Sequence, residues 1–442
     1  MNNLPTKEII RFTSTGIIKQ LIPNTTIIKL IQKIKIFKKE FNTYWIISII
    51  GAILILLFNC ISIKEVLNGL LNDSAINPIK ILVLFISMTL ISVFLDEVGF
   101  FKYLAIYATK KAKSNQITLF FILYAIVSIL TIFTSNDIVI LTFTPFICYF
   151  SKSTKINPIP YLVAEFVGAN TWSMMLIIGN PTNIFLATSQ GIEFLEYLKI
   201  MLLPTVFAGI TEIIILFLLF RKQLKKPLEL HLEDEKIQDK LSVVIGLIHL
   251  FICLVLLVIS SYISIPMWII CLCCAISLIL VISTKNLIKK QNFNNLKNTF
   301  KRLPYELIPF VISMFVLVLS LQKHQITNYI YNLLGQNNII QKYGFLSFLF
   351  SNLINNIPMS VLFSTIPNFD SSLQMNQAIY STIVGSNLGA FLTPIGALAG
   401  IMFTGLVSKQ NVDYSFKTFT KYGFIISIPT LLITLLTLYI VL

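Results

Sequence analysis

Charge is scarce in this chain, and what there is leans one way. Only 12% of the 442 residues are Asp, Glu, Lys or Arg, with 34 basic against 19 acidic. A soluble domain carries about 25% charged residues, so a soluble fold is excluded. Histidine is nearly missing: three copies and no H-E-x-x-H remove the zinc-hydrolase pattern. Asp137 is the single aspartate at membrane depth, which argues against a paired-aspartate intramembrane enzyme. The basic residues are scattered over six loops without interleaved aromatics, so no nucleic-acid partner is expected. Six cysteines (Cys60, Cys148, Cys253, Cys271, Cys273, Cys274) lie in or beside apolar runs and imply no disulfide framework. Cys271, Cys273 and Cys274 resemble a thiol site for soft metalloids. Their distance from every polar motif favours plain membrane packing instead.

What the chain has in abundance is apolar length. At 56% hydrophobic residues and a mean hydropathy of +0.82, it reads as an all-α polytopic membrane protein with about 9–11 spans. Candidate spans run over 44–60, 79–95, 159–178, 200–220, 241–259, 263–282, 306–321, 379–392 and 423–441. Two further apolar pieces are interrupted, at Ser135-Asn136-Asp137 and at Asn355-Asn356-Ile357-Pro358, and each reads as a re-entrant helical hairpin.

The positive charges set the topology, because short cytoplasmic loops are enriched in Lys and Arg. With a cytoplasmic N-terminus and two re-entrant hairpins, segments 1–43, 96–115, 151–158, 221–240, 283–303 and 407–422 face inward and hold 29 of the 34 basic residues. Lys64, Lys80, Lys199, Lys323 and Lys342 remain outside, and none lies at membrane depth. Reading the first hairpin as two full spans would invert everything downstream. The expected organisation is a basic amphipathic segment (1–43), a first repeat (44–220), a cytoplasmic linker (221–240) and a second, inverted repeat (241–442) ending outside. The target is the plasma (inner) membrane, with the excess positive charge on the anionic inner leaflet. Leu57-Phe58-Asn59-Cys60 lacks the small residues of a processing site, so the first span is read as retained.

Each half carries a helix breaker inside a span. Val167, Gly168, Asn170 and Gly179 recur as Val384, Gly385, Asn387 and Gly396, 217 positions later. Asn, Gly and Pro at such depth free backbone groups that hydrocarbon cannot satisfy, so the break must be buried in protein or line a polar cavity. Gly179, Asn180, Pro181, Thr182 and Asn183 form the first predicted break; Asn387, Thr393, Pro394 and Gly396 mark the second. Ser135 and Asn136 are good N-cap residues for the second limb of the first hairpin, whose positive helix end tolerates an anion. Asp137 beside them is a functional candidate by default, since a mid-helix carboxylate costs about 2.5–3.5 kcal/mol on insertion scales. Ser351, Asn352, Asn355 and Asn356 complete the second tip. Asn170 and Asn387 either face a solute or bond helix to helix. A sodium ion fits best near Ser135, Asn136, Asp137, Gly179 and Asn183, because released carbonyl, amide and carboxylate oxygens suit it. Glu165 is placed to snorkel to the inner interface. Glu212 is either a second protonation site or an acid paired with a hydroxyl, and His249 is a packing residue.

The order S-N-D, G-N-P-T-N, N-N-I-P, L-T-P-I-G resembles the ion transporter superfamily. That group takes in arsenite/antimonite permeases, citrate and divalent-anion sodium symporters, and related antiporters. N-D at the first tip, N-N-x-P at the second and T-P-I-G are most similar to the arsenite permease branch, whereas G-N-P-T-N is closer to the divalent-anion branch. Asp137 stands where that branch has Thr, which counts against dicarboxylates. The resemblance implies a secondary transporter of elevator or rocking type, commonly a homodimer, driven by H+ or Na+, with no other cofactor and no enzymatic activity; an ATPase subunit is a further partner to seek. The solute class is a small inorganic species such as arsenite or antimonite, or another anion. The competing readings are a sodium-coupled di- or tricarboxylate symporter and, from another class, a passive channel.

Overall fold

The structure is a computed structural model and describes residues 33–36, 39–42, 44–71, 77–112, 115–226 and 239–442. Most of the basic N-terminal segment and linker residues 227–238 lie outside the described residues. Within 1–43, the described backbone forms a short antiparallel pair, Lys33–Ile36 (β1) with Lys39–Asn42 (β2). Everything else regular is helical. The helices are α1 (Tyr44–Leu57), α2 (Ile63–Leu71), α3 (Pro78–Glu97), α4 (Phe100–Lys111), α5 (Gln116–Phe133), α6 (Asn136–Ser153), α7 (Ile159–Trp172), α8 (Pro181–Ser189), α9 (Phe194–Leu224) and α10 (Lys240–Val258). They continue as α11 (Met267–Ile288), α12 (Asn294–Arg302), α13 (Leu307–Lys323), α14 (Ile326–Leu334), α15 (Ile339–Ile354), α16 (Asn356–Phe363), α17 (Ser372–Gly389), α18 (Leu398–Lys409) and α19 (Phe416–Val441). A four-residue turn at Ser260–Ile263 joins α10 to α11.

Each of the nine expected spans falls on a helix; among the described residues seven helical stretches are long and apolar enough to cross a membrane, six of them expected spans and the seventh α5, the first limb of the first hairpin. The polytopic all-α reading therefore holds. Exposed Ile248, Phe251, Ile252 and Val255 on α10 and Ile276, Leu280 and Val281 on α11 are what lipid-facing helices should show. The broken helices α7 and α17 are instead buried along most of their length. His249 is a packing residue: its Nδ1 lies 2.8 Å from the Ile245 carbonyl and its Nε2 3.2 Å from the Ser277 hydroxyl. The cysteines are free; buried Cys253 packs its sulfur 3.9 Å from Cys271 and 3.6 Å from the Met88 thioether.

Contacts at the helix ends group the loops as the charges do. Arg302 pairs with Asp96 and Glu97, both at 2.6 Å, Lys285 pairs with Asp239, and Asn157 donates to Gln223 at 2.7 Å. All these residues belong to segments assigned to the inner face. On the other face Lys323 pairs with Glu65 at 2.9 Å, and His324 lies 3.2 Å from the Cys60 carbonyl. The Lys323 ammonium, helped by the Ser62 amide and hydroxyl, pulls the Glu65 carboxyl down to about 2.

The first hairpin begins and ends at one end of the helix bundle, among partners from segments that the charges assign to the inner face. Gln116 at the start of α5 donates to the Lys226 carbonyl at 3.0 Å, and Asn157 just after α6 reaches Gln223. Its tip meets Asn170, 11 residues along α7 from Ile159, or about 17 Å deep at 1.5 Å per residue. The second hairpin likewise begins and ends together: Tyr343 near the start of α15 and Tyr331 before it both meet Phe369 beyond α16 edge-on, with ring centroids 6.2 and 5.0 Å apart.

The closest helix pair is α15 with α17, and small residues make it so. Gly385 and Gly389 form a G-x-x-x-G stripe on α17. A Cβ on Gly385 would lie 2.0 Å from the Ser347 hydroxyl and 2.3 Å from the Gly344 carbonyl. Replacing Gly385 with Ala adds helix propensity worth about 1 kcal/mol but overpacks a backbone contact at a cost of about 1–3 kcal/mol or more. The expected result is a lower thermal midpoint in detergent; an unchanged or raised midpoint would show that the two helices can part freely.

Candidate functional site

Both broken helices are interrupted where Gly and Pro stand. α7 ends at Trp172, passes through 3-10 turns at Ser173–Met175 and Ile177–Gly179, and is extended at Leu176 and at Asn180 (φ −149°, ψ 140°) before α8 starts on Pro181. Pro at the first helical position needs no N–H, and the Asn180 side chain caps the new helix by accepting the Thr182 N–H at 3.1 Å. Gly179 is required by closeness: a Cβ there would lie 2.3 Å from the Ser173 carbonyl oxygen. This break is no surface loop, since Asn180, Pro181, Thr182 and Asn183 are all buried. α17 ends at Gly389, and residues 390–397 run irregularly to α18.

The two breaks meet through Asn387. Its side-chain oxygen accepts the Ser173 hydroxyl at 3.0 Å and the Asn180 amide at 2.9 Å, while its amide donates to Asn183 at 2.7 Å and to the Ile383 carbonyl at 2.9 Å. All four hydrogen-bonding positions of the amide are filled. Asn183 in turn donates to the carbonyls of Ser173 and Leu176, which the break has released. Asn170 does the same for the first tip: it accepts from Asn136 at 3.1 Å and donates to the Phe166 carbonyl. In this arrangement Asn170 and Asn387 are therefore helix-to-helix bonds. Ser173, which opens the first break and bonds to Asn387 beside the second, was missing from the residues singled out in sequence. Its only signal was a small polar residue one step past the last regular turn of α7.

The second tip closes on its own break. Asn352 accepts both the amide and the hydroxyl of Thr393, at 3.1 and 2.6 Å, and donates to the Gly389 carbonyl at 3.0 Å. Asn355 donates to the Ile395 carbonyl at 3.1 Å and the Asn356 amide donates to that of Gly396 at 3.0 Å. Ser351 bonds within its own helix, and Pro358 and Pro394 are buried beside the tip and in the break. Asn355 holds φ at +74° and ψ at 152°, a strained conformation for a side chain with a Cβ. Gly396 is again fixed by space, since a Cβ would lie 2.8 Å from the Asn352 oxygen.

Some polar groups at the centre are left without partners. Ser135 sits at the N-cap position of α6 but its hydroxyl makes no cap bond, contrary to its expected role, and the Asp137 amide is taken by Asn136 instead. The buried hydroxyls of Ser135, Thr171 and Thr182 and the side-chain oxygen of Asn356 have no hydrogen-bond partner. Asp137 is half-buried in the first turn of α6, and among the described residues its carboxyl has no hydrogen-bond or ion-pair partner. Among the described residues none of the ion pairs reaches these groups. The oxygens expected to hold sodium are largely committed, because Asn136 and Asn183 are engaged within the protein; Ser135 and Asp137 stay open.

Two further acids are buried in the spans. Glu165 does not snorkel: it is 2% exposed, and both carboxyl oxygens lie within 3.0 Å of the Thr144 hydroxyl on α6. The packing of α6 across α7 covers the path to the interface. Glu212 on α9 is paired with the Tyr124 phenol of α5.

Residues 36–385 match the citrate transporter family, well over half of the chain. Among curated proteins, the arsenical pump membrane protein of Escherichia coli K12 is 27% identical over 368 residues, covering 79% of this chain and 84% of its own length. A putative arsenical pump membrane protein of Bacillus subtilis is 24% identical over 423 residues, covering 88% and 92%. A 46 kDa membrane protein of Mycobacterium leprae is 23% identical over 370 residues. With two interrupted helices meeting in a buried amide cluster and a match that spans most of its length, this chain belongs to the citrate transporter family and is a multi-pass membrane transporter of the anion-transporting, arsenite-permease-like kind.

Proposed function

We propose that the chain is a secondary active transporter of a small inorganic solute, arsenite or antimonite, driven by a proton or sodium gradient. The observation that carries this is the chemistry of the centre: amides and hydroxyls from both halves, one unpaired carboxyl at Asp137, and no cation. Arsenous acid at neutral pH is an uncharged trihydroxide, which the open hydroxyls of Ser135 and Thr182 and the open side-chain oxygen of Asn356 can meet without a counter-charge. A tricarboxylate would bring several negative charges to a centre with only helix N-termini to receive them. A proton is the better supported coupling ion, because it needs only the open carboxyl, whereas sodium would have to displace amide bonds already made.

The test is flux in proteoliposomes under an imposed pH or sodium gradient. Arsenite or antimonite movement that follows the pH gradient is the expected result; no gradient-dependent flux of these solutes or of carboxylates would reject the reading. Citrate movement under a sodium gradient would instead favour the dicarboxylate reading, to which the family description and the Gly179–Asn183 motif lend support. Ohmic currents far above carrier turnover would favour a channel.

On the same reading the N-terminus is cytoplasmic and the C-terminus extracytoplasmic, in the plasma (inner) membrane. The ion pairs joining segments of common assignment support this. A homodimer, and an ATPase subunit at the basic cytoplasmic face, complete the proposal, and co-purification in mild detergent tests both.

A further inference from the structure

Glu212 is wholly buried midway along α9, and its surroundings are not those of a structural carboxylate. One carboxyl oxygen accepts the Tyr124 phenol, which also lies 3.1 Å from the Gly209 carbonyl and accepts the Trp172 indole N–H at 2.9 Å. The other oxygen, Oε2, forms no well-aligned hydrogen bond, and neither does the hydroxyl of Thr171, the residue next to Trp172, which faces this carboxyl. From the other elements packed along α9, the titratable or charged groups are Tyr161 and Glu165 on α7, Lys240, His249 and Cys253 on α10, and Lys417, Lys421, Tyr422 and Tyr439 on α19. Among the described residues none of them hydrogen-bonds or ion-pairs with Glu212. A carboxylate without a counter-charge in such a place is far costlier than the neutral acid, and the neutral acid has a proton to donate where the bare Thr171 hydroxyl can take it.

The location gives that proton a use. Trp172 is the last residue of α7, and the next residue, Ser173, opens the break and bonds to Asn387. Trp172 can lie against α9 only because position 209 is Gly, where a Cβ would come within 2.3 Å of the indole. The chain Glu212, Tyr124, Trp172, Ser173, Asn387 thus joins an α9 carboxyl to the junction of the two breaks by successive hydrogen bonds and one peptide link.

We propose that Glu212 is a proton-binding site of the transport cycle, separate from the Asp137 site, that is loaded while Trp172 rests on Gly209 and releases its proton to water when the broken helix moves away. The proposal rests on the gradient-coupled reading above, and the experiment separates the two. In proteoliposomes, protons and solute are counted together with a pH-sensitive dye and arsenite flux. Glu212→Gln keeps the shape and the bond to Tyr124 but cannot release a proton, so the proton count per solute falls by one while solute exchange without a gradient survives. An unchanged count in Glu212→Gln overturns the proposal and leaves the transporter reading intact; a wild-type protein that moves solute with sodium and no protons does the same. Infrared spectroscopy of the purified protein needs no solute. A protonated-carboxyl band at neutral pH that vanishes in Glu212→Gln and shifts in Tyr124→Phe is expected, and its absence from the wild type overturns the proposal even if the Gln variant folds poorly.

Discussion

Asp137→Asn should sharply reduce gradient-driven accumulation of solute, removing one coupling ion per cycle, while leaving exchange down a concentration gradient. The carboxyl sits in the first turn of α6 at the tip of a hairpin whose partner, Asn170, lies deep in α7. It is kept there against an insertion cost of about 2.5–3.5 kcal/mol, with no protein group to offset it. Asn has the same size and cap chemistry but cannot take up a cation or a proton. Removing a charged ligand from a hydrogen-bonded site costs about 1.5–3 kcal/mol, which at 1.4 kcal/mol per decade is roughly 10- to 150-fold in affinity for the coupling ion. Folding should hold or improve, because an unpaired carboxyl has been removed, so the thermal midpoint should not fall. If instead coupling survives and the midpoint drops, Asp137 is a structural cap and the coupling ion binds elsewhere. The comparison with Glu212→Gln then distinguishes a site open to solute from one buried behind the broken helix.

Sequence carried the breaks and hid what the breaks hold. Gly179, Pro181 and Pro394 announce interrupted helices because they stand clustered with Asn, Gly and Thr, unlike the single Pro204 and Pro429 inside unbroken α9 and α19. The hairpins were read through lysines far from them, since two full spans would put either Lys110, Lys111 and Lys113 or Lys152 and Lys155 outside. The contacts between helix ends group the loops in the same way. The bonds at the centre had no such projection. That Asn387 engages Ser173, Asn180 and Asn183, all more than 200 residues earlier, follows from how two halves dock, not from the spacing within either. Ser135 looks like a cap and makes no cap bond, because Asn136 takes the amide the hydroxyl would have taken. Glu165 near an inner end suggested snorkelling, yet Thr144 meets it from a neighbouring helix. Short helices such as α2, α12 and α14 were not singled out, because nine-residue segments fall below any span criterion.

The second large effect belongs to Asn387→Ala. Truncation removes four hydrogen bonds at once and strands the Asn180 amide and the Asn183 oxygen in a site with no exposure. Each buried polar group left unpaired costs about 1–3 kcal/mol, so the junction of the breaks should loosen and flux should fall by at least about 10-fold, the equivalent of about 1.4 kcal/mol. Asn387→Asp separates bonding from shape. The carboxylate can still accept from Ser173 and Asn180, but it turns an oxygen toward the Asn183 oxygen that now receives a donor at 2.7 Å. Repulsion there should cost about as much as truncation while the acid stays charged, and transport should recover at a pH low enough to protonate it, where the acid O–H can again donate to Asn183. The wild type over the same pH interval is the control. Recovery only in the Asp variant would tie function to the donor that joins the two halves. If Asn387→Ala transports normally, the contact between the breaks is incidental packing, and the solute must be held by the hairpin tips alone.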